Sequence, residues 1–417
     1  MNETNSRLAA LGITIPEILL PQSNIDLSKW AVIACDQFTQ DRNYWEAVKA
    51  KTDGAPSALN LIFPELYLAQ ANRESRIAAI RDSMEQYLKS NVFSPPRSCM
   101  IYIERSTPHH SVRRGLVLAV DLECYDWKPG TRPLIRATEE TIEERLPPRM
   151  EIRRGAPLET PHILLLIDDE KDTLLPALAE KAKKSAPLYS AGLMMNSGSI
   201  TGWVIDSIND INLLVEGLEK LAAKTASGAS DGSFLFAMGD GNHSLATAKA
   251  VWEEYKDAHK HEAGIENHPA RWALVELENL HDPGISFEPI HRIIFGVDPA
   301  ELYGLLSAAQ DIHCCPPVPG SRVIHIEADG FVSAGFQPLL DNFVKQNGLE
   351  IDYIHGEEEL FRLVKDNSRP ATGLLMPPLN KSDLFKTVAR SGPLPRKSFS
   401  MGESVEKRFY LECRKLF

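Results

Sequence analysis

Short apolar runs alternate with amphipathic stretches along the 417-residue chain. Residues 29–34 and 162–168 have the pattern of buried strands, and residues 273–280 are predicted to form a third strand. The apolar positions of residues 72–91 and 172–184 predict two helices. Because strands and helices alternate throughout, the pattern indicates an α/β or mixed α+β fold rather than a fold of one class.

Proline and glycine refine this prediction at two places. A helix over residues 139–145 is predicted to stop at Pro147 and Pro148, because proline disrupts a helix interior. Residues 193–206 carry a glycine-bearing turn between apolar flanks and predict a β-hairpin. The C-terminal residues 407–416 are predicted to be extended.

The best candidate for a linker is the small, polar stretch at residues 225–232, although a surface loop has the same composition. Dividing the length by roughly 150 residues per domain gives two or three domains. We therefore expect an N-terminal α/β portion over residues 1–228 and a C-terminal portion over residues 229–417.

Composition and charge narrow the class of function. Hydrophobic residues make up 43% of the chain and charged residues 24%, which is typical of a globular protein. The net charge of −12 disfavours nucleic acid as a partner, and an anionic substrate would need a local cluster of Arg and Lys. The simplest explanation of the negative net charge is that it keeps the protein soluble.

Six scattered cysteines without a C-x-x-C pair indicate a reduced, cytoplasmic protein. The N-terminal residues lack the pattern of a signal peptide. No apolar run approaches the roughly 20 residues that span a bilayer, so we expect no membrane partner.

The most informative local motif is a predicted strand followed by Asp240-Gly241-Asn242-His243-Ser244 and then a helix. Such a turn directs backbone N–H groups and the positive helix end at one small volume, which favours phosphate. Gly241 permits close approach of a ligand, Ser244 is a candidate N-cap, and His243 can donate to a phosphoryl oxygen or move a proton. Asp240 can hold Mg²⁺ or orient a nucleophile. The same residue types also occur in ordinary strand-to-helix turns.

Arginines are concentrated between positions 136 and 154, where Arg136, Arg145 and Arg149 are interleaved with glutamates such as Glu139. Arginine suits bidentate recognition of phosphate or carboxylate, and a carboxylate among arginines can bind a metal or act as a base. Spacing alone favours a surface helix with ion pairs of little energetic value.

Two shorter motifs follow towards the C-terminus. Pro289-Ile290-His291-Arg292 places a histidine beside an arginine, and in a strand at most one of them faces a given ligand. Lys397 and Ser398 suit phosphate, but the glycines of a Walker A loop do not precede them. A structural histidine and a surface arginine remain the alternative for the first motif.

Taken together, six segments in order resemble domain-of-unknown-function family 1015, which is bacterial and archaeal. They are WAVIACDQFTQDRNYW, LIRATEETIEERLPPR, PHILLLIDD, GDGNHSLATAKA, ELENLHDPGISFEPIHR and LPRKSFSMGESVEKRFYLECRK. The family signature resembles D-G-H-H-R, and this chain has Asn242 and Ser244 in place of the first His and the Arg. Thr138 replaces the His of the family's H-E-x-T segment, whereas the P-x-H-R and P-x-K-S segments are retained.

The family in turn resembles the ADP-dependent free serine kinases and, more remotely, the ParB and sulfiredoxin nucleotide-binding fold. This resemblance implies a nucleotide-binding core around the Asp240 turn. It assigns Asp240, Glu139 and His243 to catalysis, with Asp240 and Glu139 also as ligands of Mg²⁺. The residues expected to bind phosphate or nucleotide are Gly241, Asn242, Ser244, Arg145, His291, Arg292, Lys397 and Ser398. The substrate is assigned to Asp36, Arg136 and Arg149.

The expected function is therefore that of a phosphotransferase or phosphatase acting on a small phosphorylated metabolite, with serine or phosphoserine as substrate and ADP or ATP as the nucleotide. Mg²⁺ is the expected cofactor, since phosphoryl transfer needs positive charge around the moving phosphate. The alternative is a regulatory protein that binds a nucleotide or metabolite without catalysis, as the departures at Thr138, Asn242 and Ser244 suggest.

Overall fold

The computed structural model describes residues 3–128, 130–228, 234–328, 331–332, 335–365 and 370–417. Helices and strands are interspersed along them, which confirms the predicted mixed α/β class. The helices are α1 (Glu3–Ala10), α2 (Leu27–Trp30), α3 (Arg42–Thr52), α4 (Arg73–Lys89), α5 (Leu146–Arg153), α6 (Leu174–Ala182), α7 (Ile208–Gly228), α8 (Asn242–Ala258), α9 (Pro299–Ser307), α10 (Phe336–Asn347), α11 (Glu357–Lys365) and α12 (Leu384–Ser391).

The strands are mostly short. They are β1 (Ile13–Thr14), β2 (Glu17–Ile18), β3 (Val32–Ile33), β4 (Arg97–Ser98), β5 (Met100–Ser106), β6 (Arg113–Asp121), β7 (Tyr125–Asp126), β8 (Ile135–Arg136), β9 (Leu158–Glu159), β10 (Leu164–Ile167), β11 (Tyr189–Gly192), β12 (Ser199–Ile205), β13 (Phe236–Asp240), β14 (Trp272–Asn279), β15 (Phe287–Phe295), β16 (His313–Cys315), β17 (Val323–Glu327), β18 (Glu350–His355), β19 (Ala371–Leu375), β20 (Phe399–Met401), β21 (Phe409–Tyr410) and β22 (Arg414–Lys415).

Contacts within the chain group it into two compact units. Unit 1 comprises Met1–Ala137, Thr141–Ile285 and Ser404–Phe417, and unit 2 comprises Thr138–Glu140 and Ser286–Glu403. This grouping follows a different boundary from 228/229, and independent folding of the two predicted portions stays a prediction. Among the helices that the structure describes, none is both long and apolar enough to cross a lipid bilayer.

A mixed ten-stranded sheet forms the centre of unit 1, in the order β11-β12-β5-β6-β14-β10-β13-β8-β7, with β1 paired to β6. β10 is parallel to β14 and antiparallel to β13, and Leu164 lies opposite Asp240. This register brings the residues just before β10 alongside the end of β13, where the predicted phosphate turn begins.

The local sequence explains the two elements that flank this turn. All four residues of β10 are buried, so a continuous apolar run replaces the alternating pattern of a half-exposed strand. α8 buries Leu245, Ala248 and Trp252, which recur at three- and four-residue spacing as predicted. Burying each large apolar side chain contributes about 1.5–3 kcal/mol, so packing rather than propensity holds the start of α8 against the sheet.

Unit 2 contains a six-stranded sheet in the order β16-β17-β19-β15-β18, with β20 paired to β15. Ile293 and Ile294 are neighbours on β15 but belong to two different apolar clusters. Because successive side chains of a strand point to opposite faces, these clusters cover the two faces of the sheet.

The predicted helix over residues 139–145 is wrong. Glu139 forms an isolated β-bridge with Leu394, and α5 begins only at Leu146 after a short 3₁₀ turn. Pro147 and Pro148 therefore lie in the first turn of α5 instead of ending a helix. Proline is tolerated there because the first N–H groups of a helix need no intrahelical acceptor.

Other boundaries also shift. The predicted strand at residues 29–34 is divided between α2 and β3, and residues 407–416 contain only the short strands β21 and β22. The hairpin at residues 193–206 is confirmed by the pairing of β11 with β12. Of the proposed linker at 225–232, residues up to Gly228 belong to α7, and positions 229–232 lie outside the described residues.

Candidate functional site

The predicted strand–turn–helix motif is present in unit 1. β13 ends at Asp240, Gly241 has a φ of +80°, and α8 begins at Asn242. A β-carbon added to Gly241 would lie 3.2 Å from the Cα of Ile163. Both the left-handed backbone and the close approach therefore favour glycine. Gly241, rather than Ser244, is the N-cap, so the prediction for Ser244 is wrong, because α8 already includes it as its third residue.

Asp240 is held by two contacts at the end of β13. Its Oδ1 accepts a hydrogen bond from the backbone N–H of Gly241 at 2.9 Å, and its Oδ2 lies 3.2 Å from Nζ of Lys407. Lys407 is only 6% exposed. A buried ammonium needs a carboxylate partner, so Lys407 and Asp240 form a pair of compensated charges beside the positive end of α8.

The side chains of Asn242 and His243 complete this turn. The backbone N–H of Ile142 donates to Nε2 of His243 at 3.3 Å, which assigns the ring proton of the neutral imidazole to Nδ1. In this tautomer, Nδ1 carries the one N–H group of the ring. Oδ1 of Asn242 is buried and has no hydrogen-bond partner among the described residues. A buried amide oxygen without a partner marks a place where a ligand or a water molecule could donate a hydrogen bond.

His162 connects this turn to other polar groups. Its Nε2 lies 2.7 Å from Oγ of Ser244 and 4.0 Å from Oδ2 of Asp36, and its Nδ1 lies 2.7 Å from the hydroxyl of Tyr410. The Tyr410 hydroxyl also accepts from the backbone N–H of Cys35 at 3.1 Å. Each ring nitrogen of His162 thus has a hydroxyl partner, and the roles of donor and acceptor follow the protonation of the ring.

Burial and neighbouring charges set the protonation of this group. Burial alone would raise the pKa of Asp36, but the charge of His162 and the hydrogen bond from Gln37 outweigh it and lower that pKa, with a smaller contribution from Lys407. Asp36 is thus an ionised carboxylate. Burial, with Asp36 as a further contribution, raises the pKa of the Cys35 thiol. Cys35 is a neutral thiol and not an activated nucleophile.

A cavity of ≈ 150 Å³ adjoins the first turn of α8 in unit 1. Its polar end includes Ser244, His162 and Tyr410, and most of the remaining wall is apolar. Arg149 also lines it and donates through Nε to Oε1 of Glu65 at 2.9 Å. The guanidinium of Arg149 is thus already paired with a carboxylate, and its role in binding substrate stays a prediction.

Buried charges on either side of Lys407 anchor the C-terminal segment of unit 1. Glu406 accepts from Oγ1 of Thr107 at 2.7 Å, and Arg408 forms a buried ion pair with Glu276. Breaking a buried pair costs about 3–5 kcal/mol, so these contacts fix the direction in which Lys407 points.

The remaining predicted residues come together in unit 2. The carboxylate of Glu139 accepts from the backbone N–H of Ser398 at 2.9 Å, and Arg292 donates through Nη2 to the carbonyl of Lys397 at 3.0 Å. Burial raises the pKa of Glu139, although the charge of Lys397 acts in the opposite direction. Glu139 thus holds a proton more readily than an exposed glutamate does.

Arg292 and His291 are both buried within β15. Arg292 is 2% exposed, donates through Nε to Gln337 at 3.2 Å and binds the carbonyl of Ile290. Burial lowers the pKa of Arg292 to about 10. His291 accepts through Nδ1 from the backbone N–H of Met376 at 3.1 Å, and burial, assisted by the charge of Arg292, lowers its pKa to about 4. These contacts give both side chains a structural role, and their role in phosphate binding stays a prediction.

The predicted residues thus form two groups, one in each unit. Asp36, Arg149 and residues 240–244 belong to unit 1, whereas Glu139, His291, Arg292, Lys397 and Ser398 belong to unit 2. In unit 1, Arg145 is exposed, and the guanidinium of Arg136 lies 4.7 Å from the ring of Phe234, before the start of β13. Arg136 lies on β8 opposite Ala237 of β13, and its role in binding substrate stays a prediction.

A preformed metal site needs several suitable side chains close together. The described residues contain no group of three or more His, Cys, Asp or Glu side chains arranged to hold a metal ion. Both oxygens of Asp240 already have partners, one of them the ammonium of Lys407. The turn therefore does not fit a preformed Mg²⁺ site, and the metal ligation predicted for Asp240 and Glu139 has no support in its geometry.

Three residues of this site escaped the sequence analysis: His162, Lys407 and Tyr410. His162 is the first residue of the strand predicted over residues 162–168, which was its only signal, and β10 begins at Leu164. Lys407 and Tyr410 lie in a C-terminal segment in which charged and apolar residues are mixed, typical of an exposed strand. Lys407 is paired with Asp240, and Tyr410 is hydrogen-bonded to His162. A pattern along the chain does not show such contacts between distant residues.

Comparisons with known proteins found partial likenesses of fold. A free serine kinase variant in complex with AMP has 9% identity and a TM-score of 0.39, and a variant in complex with ADP has 10% identity and the same TM-score. Each covers 72% of this chain and 92% of the kinase. A conserved hypothetical protein from Pyrococcus furiosus has 10% identity and a TM-score of 0.36, with 72% and 97% covered.

The search of curated proteins found no match. The model of the family described as "Protein of unknown function (DUF1015)" matches residues 19–383, which is most of the chain. This match confirms the resemblance inferred from the six sequence segments, and the chain belongs to the DUF1015 family.

Proposed function

We propose that the 240–244 turn of unit 1 binds the phosphates of a nucleotide, and that the protein transfers or removes a phosphoryl group of a small metabolite. Serine and phosphoserine are the first substrates to test, because the family resembles free serine kinases in its signature. The nucleotide is ADP or ATP in this proposal, and the reaction belongs to serine metabolism.

The observation that carries the proposal is the geometry of the turn. A left-handed glycine lies between a buried strand and a helix of 17 residues, so the positive end of α8 faces the volume beside Asp240. Anions are favoured there by about 0.3–1 kcal/mol from the helix end alone. His243, the second residue of α8, is the candidate side-chain donor to a phosphate oxygen. The unpartnered Oδ1 of Asn242 is an acceptor, so it suits an N–H or O–H group of the ligand.

Lys407 extends this role beyond the residues that the sequence suggested. Its ammonium is paired with Asp240 and lies beside the helix end. When a phosphate binds, Lys407 can share its charge between the phosphate and Asp240, as a lysine does in other phosphate sites. Asp240 then positions Lys407 instead of holding a metal.

Unit 2 contains further residues to which the resemblance assigns roles in phosphoryl transfer. In the proposal, the carboxyl of Glu139, whose pKa burial raises, is the candidate base that takes the proton of a hydroxyl or water. Arg145 in unit 1 and Lys397 in unit 2 are exposed cations, and each is a candidate for binding phosphate within its own unit. The donors of Arg292 bind the carbonyls of Ile290 and Lys397, so Arg292 supports the backbone at Lys397.

The test combines binding and turnover. We expect ADP, AMP or ATP to bind the full-length protein in calorimetry, and phosphoserine with ADP or AMP to yield serine when Mg²⁺ is added. His243→Ala should weaken nucleotide binding about tenfold, the effect of losing one charge-assisted hydrogen bond. His261→Ala, which changes an exposed histidine beyond the end of α8, is the matched control. Equal nucleotide binding by wild type and His243→Ala, with no turnover, would refute the proposal.

The second candidate is a binding protein without catalysis. Ser244 stands where the family signature has an arginine. Its hydroxyl contacts His162 and supplies no positive charge for a phosphate. A nucleotide that raises the melting temperature without any turnover of phosphoserine, serine or nucleotide would favour this candidate. Mg²⁺-dependent turnover would favour the enzyme.

A further inference from the structure

We propose that the cavity beside the first turn of α8 binds a small uncharged molecule that has a ring or branched body of about six carbons and one hydroxyl group. This ligand is different from the nucleotide and from serine, and its binding does not depend on the proposed phosphotransfer. Three properties of the cavity lead to this chemical class: its volume, the pairing of its charges and the position of its polar groups.

The volume limits the size of the ligand. The cavity measures ≈ 150 Å³, and an apolar protein cavity of roughly this volume holds one benzene molecule. Its apolar wall includes Ile62, Met84, Leu158 and Leu274, all of which are buried. A body of about six carbons therefore fills the space and replaces lost packing contacts around it.

The charges in the wall are already compensated. Arg149 donates to Glu65, and Nη2 of Arg153 lies 2.5 Å from Oε2 of Glu159. Burial raises the pKa of Glu65, although the charge of Arg149 lowers it. A charged ligand would lose its hydration here and displace one of these pairs to find a counter-ion. A neutral ligand avoids both costs, which disfavours zwitterionic serine inside the cavity.

The polar groups at one end of the cavity explain why the proposed ligand carries a hydroxyl group. A serine hydroxyl has one donor and two acceptor positions, and the contact with His162 at 2.7 Å uses one of them. The hydroxyl of Tyr410 is occupied by His162 and by the backbone N–H of Cys35. Ser244 therefore retains hydrogen-bonding capacity for a ligand hydroxyl.

Phenol and benzene are the probes that test this inference on the full-length protein. We expect saturable binding of phenol in ligand-observed NMR, weaker binding of benzene, and no binding of serine within the cavity. Ser244→Ala should weaken phenol about fivefold, the effect of one neutral hydrogen bond, and leave benzene unchanged. Ser185→Ala, at an exposed serine, is the control for the substitution itself.

Two further variants change the volume. Ala156 lines the cavity, and Ala156→Leu should fill it and abolish the binding of both probes. Met84→Ala should enlarge it and allow naphthol to bind more tightly than phenol does, which keeps the test informative if Ala156→Leu fails to fold. Absence of phenol binding to wild type, or equal loss of phenol and benzene in Ser244→Ala, would overturn the inference.

Nucleotide binding is measured on the same samples. Phenol binding without nucleotide binding would refute the proposed function and support the cavity ligand. Nucleotide binding without phenol binding would support the proposed function and refute the cavity ligand. The two proposals therefore succeed or fail separately.

Discussion

The ammonium of Lys407 lies 3.2 Å from Oδ2 of Asp240. This pair joins the segment that precedes β21 to the turn that begins α8. Because Lys407 is almost completely buried, its charge is not solvated by bulk water and depends on Asp240 for compensation. The pair therefore links the stability of unit 1 to the electrostatics of the proposed phosphate site.

Lys407→Met should destabilise unit 1 by about 1–3 kcal/mol, since it leaves the partly buried carboxylate of Asp240 without its charged partner. It should also weaken nucleotide binding, because the cation beside the helix end is lost. Denaturant unfolding followed by tryptophan fluorescence measures the first effect, and calorimetry with ADP the second. Lys415→Met, at an exposed lysine, is expected to change neither.

A double-mutant cycle separates the pair from its surroundings. In the Asp240→Asn background, Lys407→Met should cost clearly less than it does in wild type, because no carboxylate is left unpaired. Equal costs in both backgrounds would show that Lys407 acts independently of Asp240.

The backbone at Gly241 gives a second prediction. Gly241→Ala should destabilise the protein by about 1–3 kcal/mol, because alanine is strained at a φ of +80° and its β-carbon would lie 3.2 Å from the Cα of Ile163. Gly264 has a φ of +86° and open space around its added β-carbon, so Gly264→Ala measures the cost of φ alone. Gly241→Ala should be the more destabilising of the two in chemical denaturation, and a smaller cost than Gly264→Ala would argue against close approach.

Much of the fold near this turn could be predicted from the sequence. β10, β14 and the buried face of α8 follow directly from apolar runs and from three- and four-residue spacing. The start of α5 could not, because the same two prolines either stop a preceding helix or begin the next one. Only the β-bridge between Glu139 and Leu394, a contact distant along the chain, decides between these possibilities.

The residues of the candidate site also fall into those that the sequence could identify and those that it could not. Asp240 and Gly241 were identifiable because a glycine between a strand and a helix carries a local signal. His162, Tyr410 and Lys407 were not, since each acquires its role from a partner brought near by the sheet or by the C-terminal segment. Arg292 and His291 show the converse: their residue types suggested a ligand, whereas burial commits their polar atoms to the protein.

The buried histidine of unit 2 makes the stability of that unit depend on pH. The pKa of His291 is lowered from 6.5 to about 4, chiefly by burial and further by Arg292 and His355. The unfolded chain thus binds a proton more readily than the folded one between these values. Stability is fully present above pH 6.5 and is lost as pH falls through about 4, by roughly 1–3 kcal/mol.

Nitrogen NMR of labelled histidine should show His291 titrating near pH 4. His291→Asn, which keeps a hydrogen-bond acceptor for the backbone N–H of Met376, should reduce the acid-dependent loss of stability. His325→Asn, at an exposed histidine of unit 2, is the control and should preserve that loss. Titration of His291 near 6.5 would contradict the buried, neutral state.

The arginine of the family signature provides the sharpest test of the turn. Ser244→Arg breaks the contact with His162 and places a guanidinium in the first turn of α8. If phosphates bind at this turn, the added charge-assisted hydrogen bond should tighten ADP about tenfold or more. Ser244→Ala breaks the same contact without adding charge, so it should leave ADP affinity nearly unchanged in calorimetry. The gain in ADP affinity of Ser244→Arg should vanish in high salt, and its affinity for adenosine should be unchanged. Both results would show that the gain comes from the phosphates. Equal ADP affinity for the two variants would mean that the nucleotide phosphates do not reach position 244.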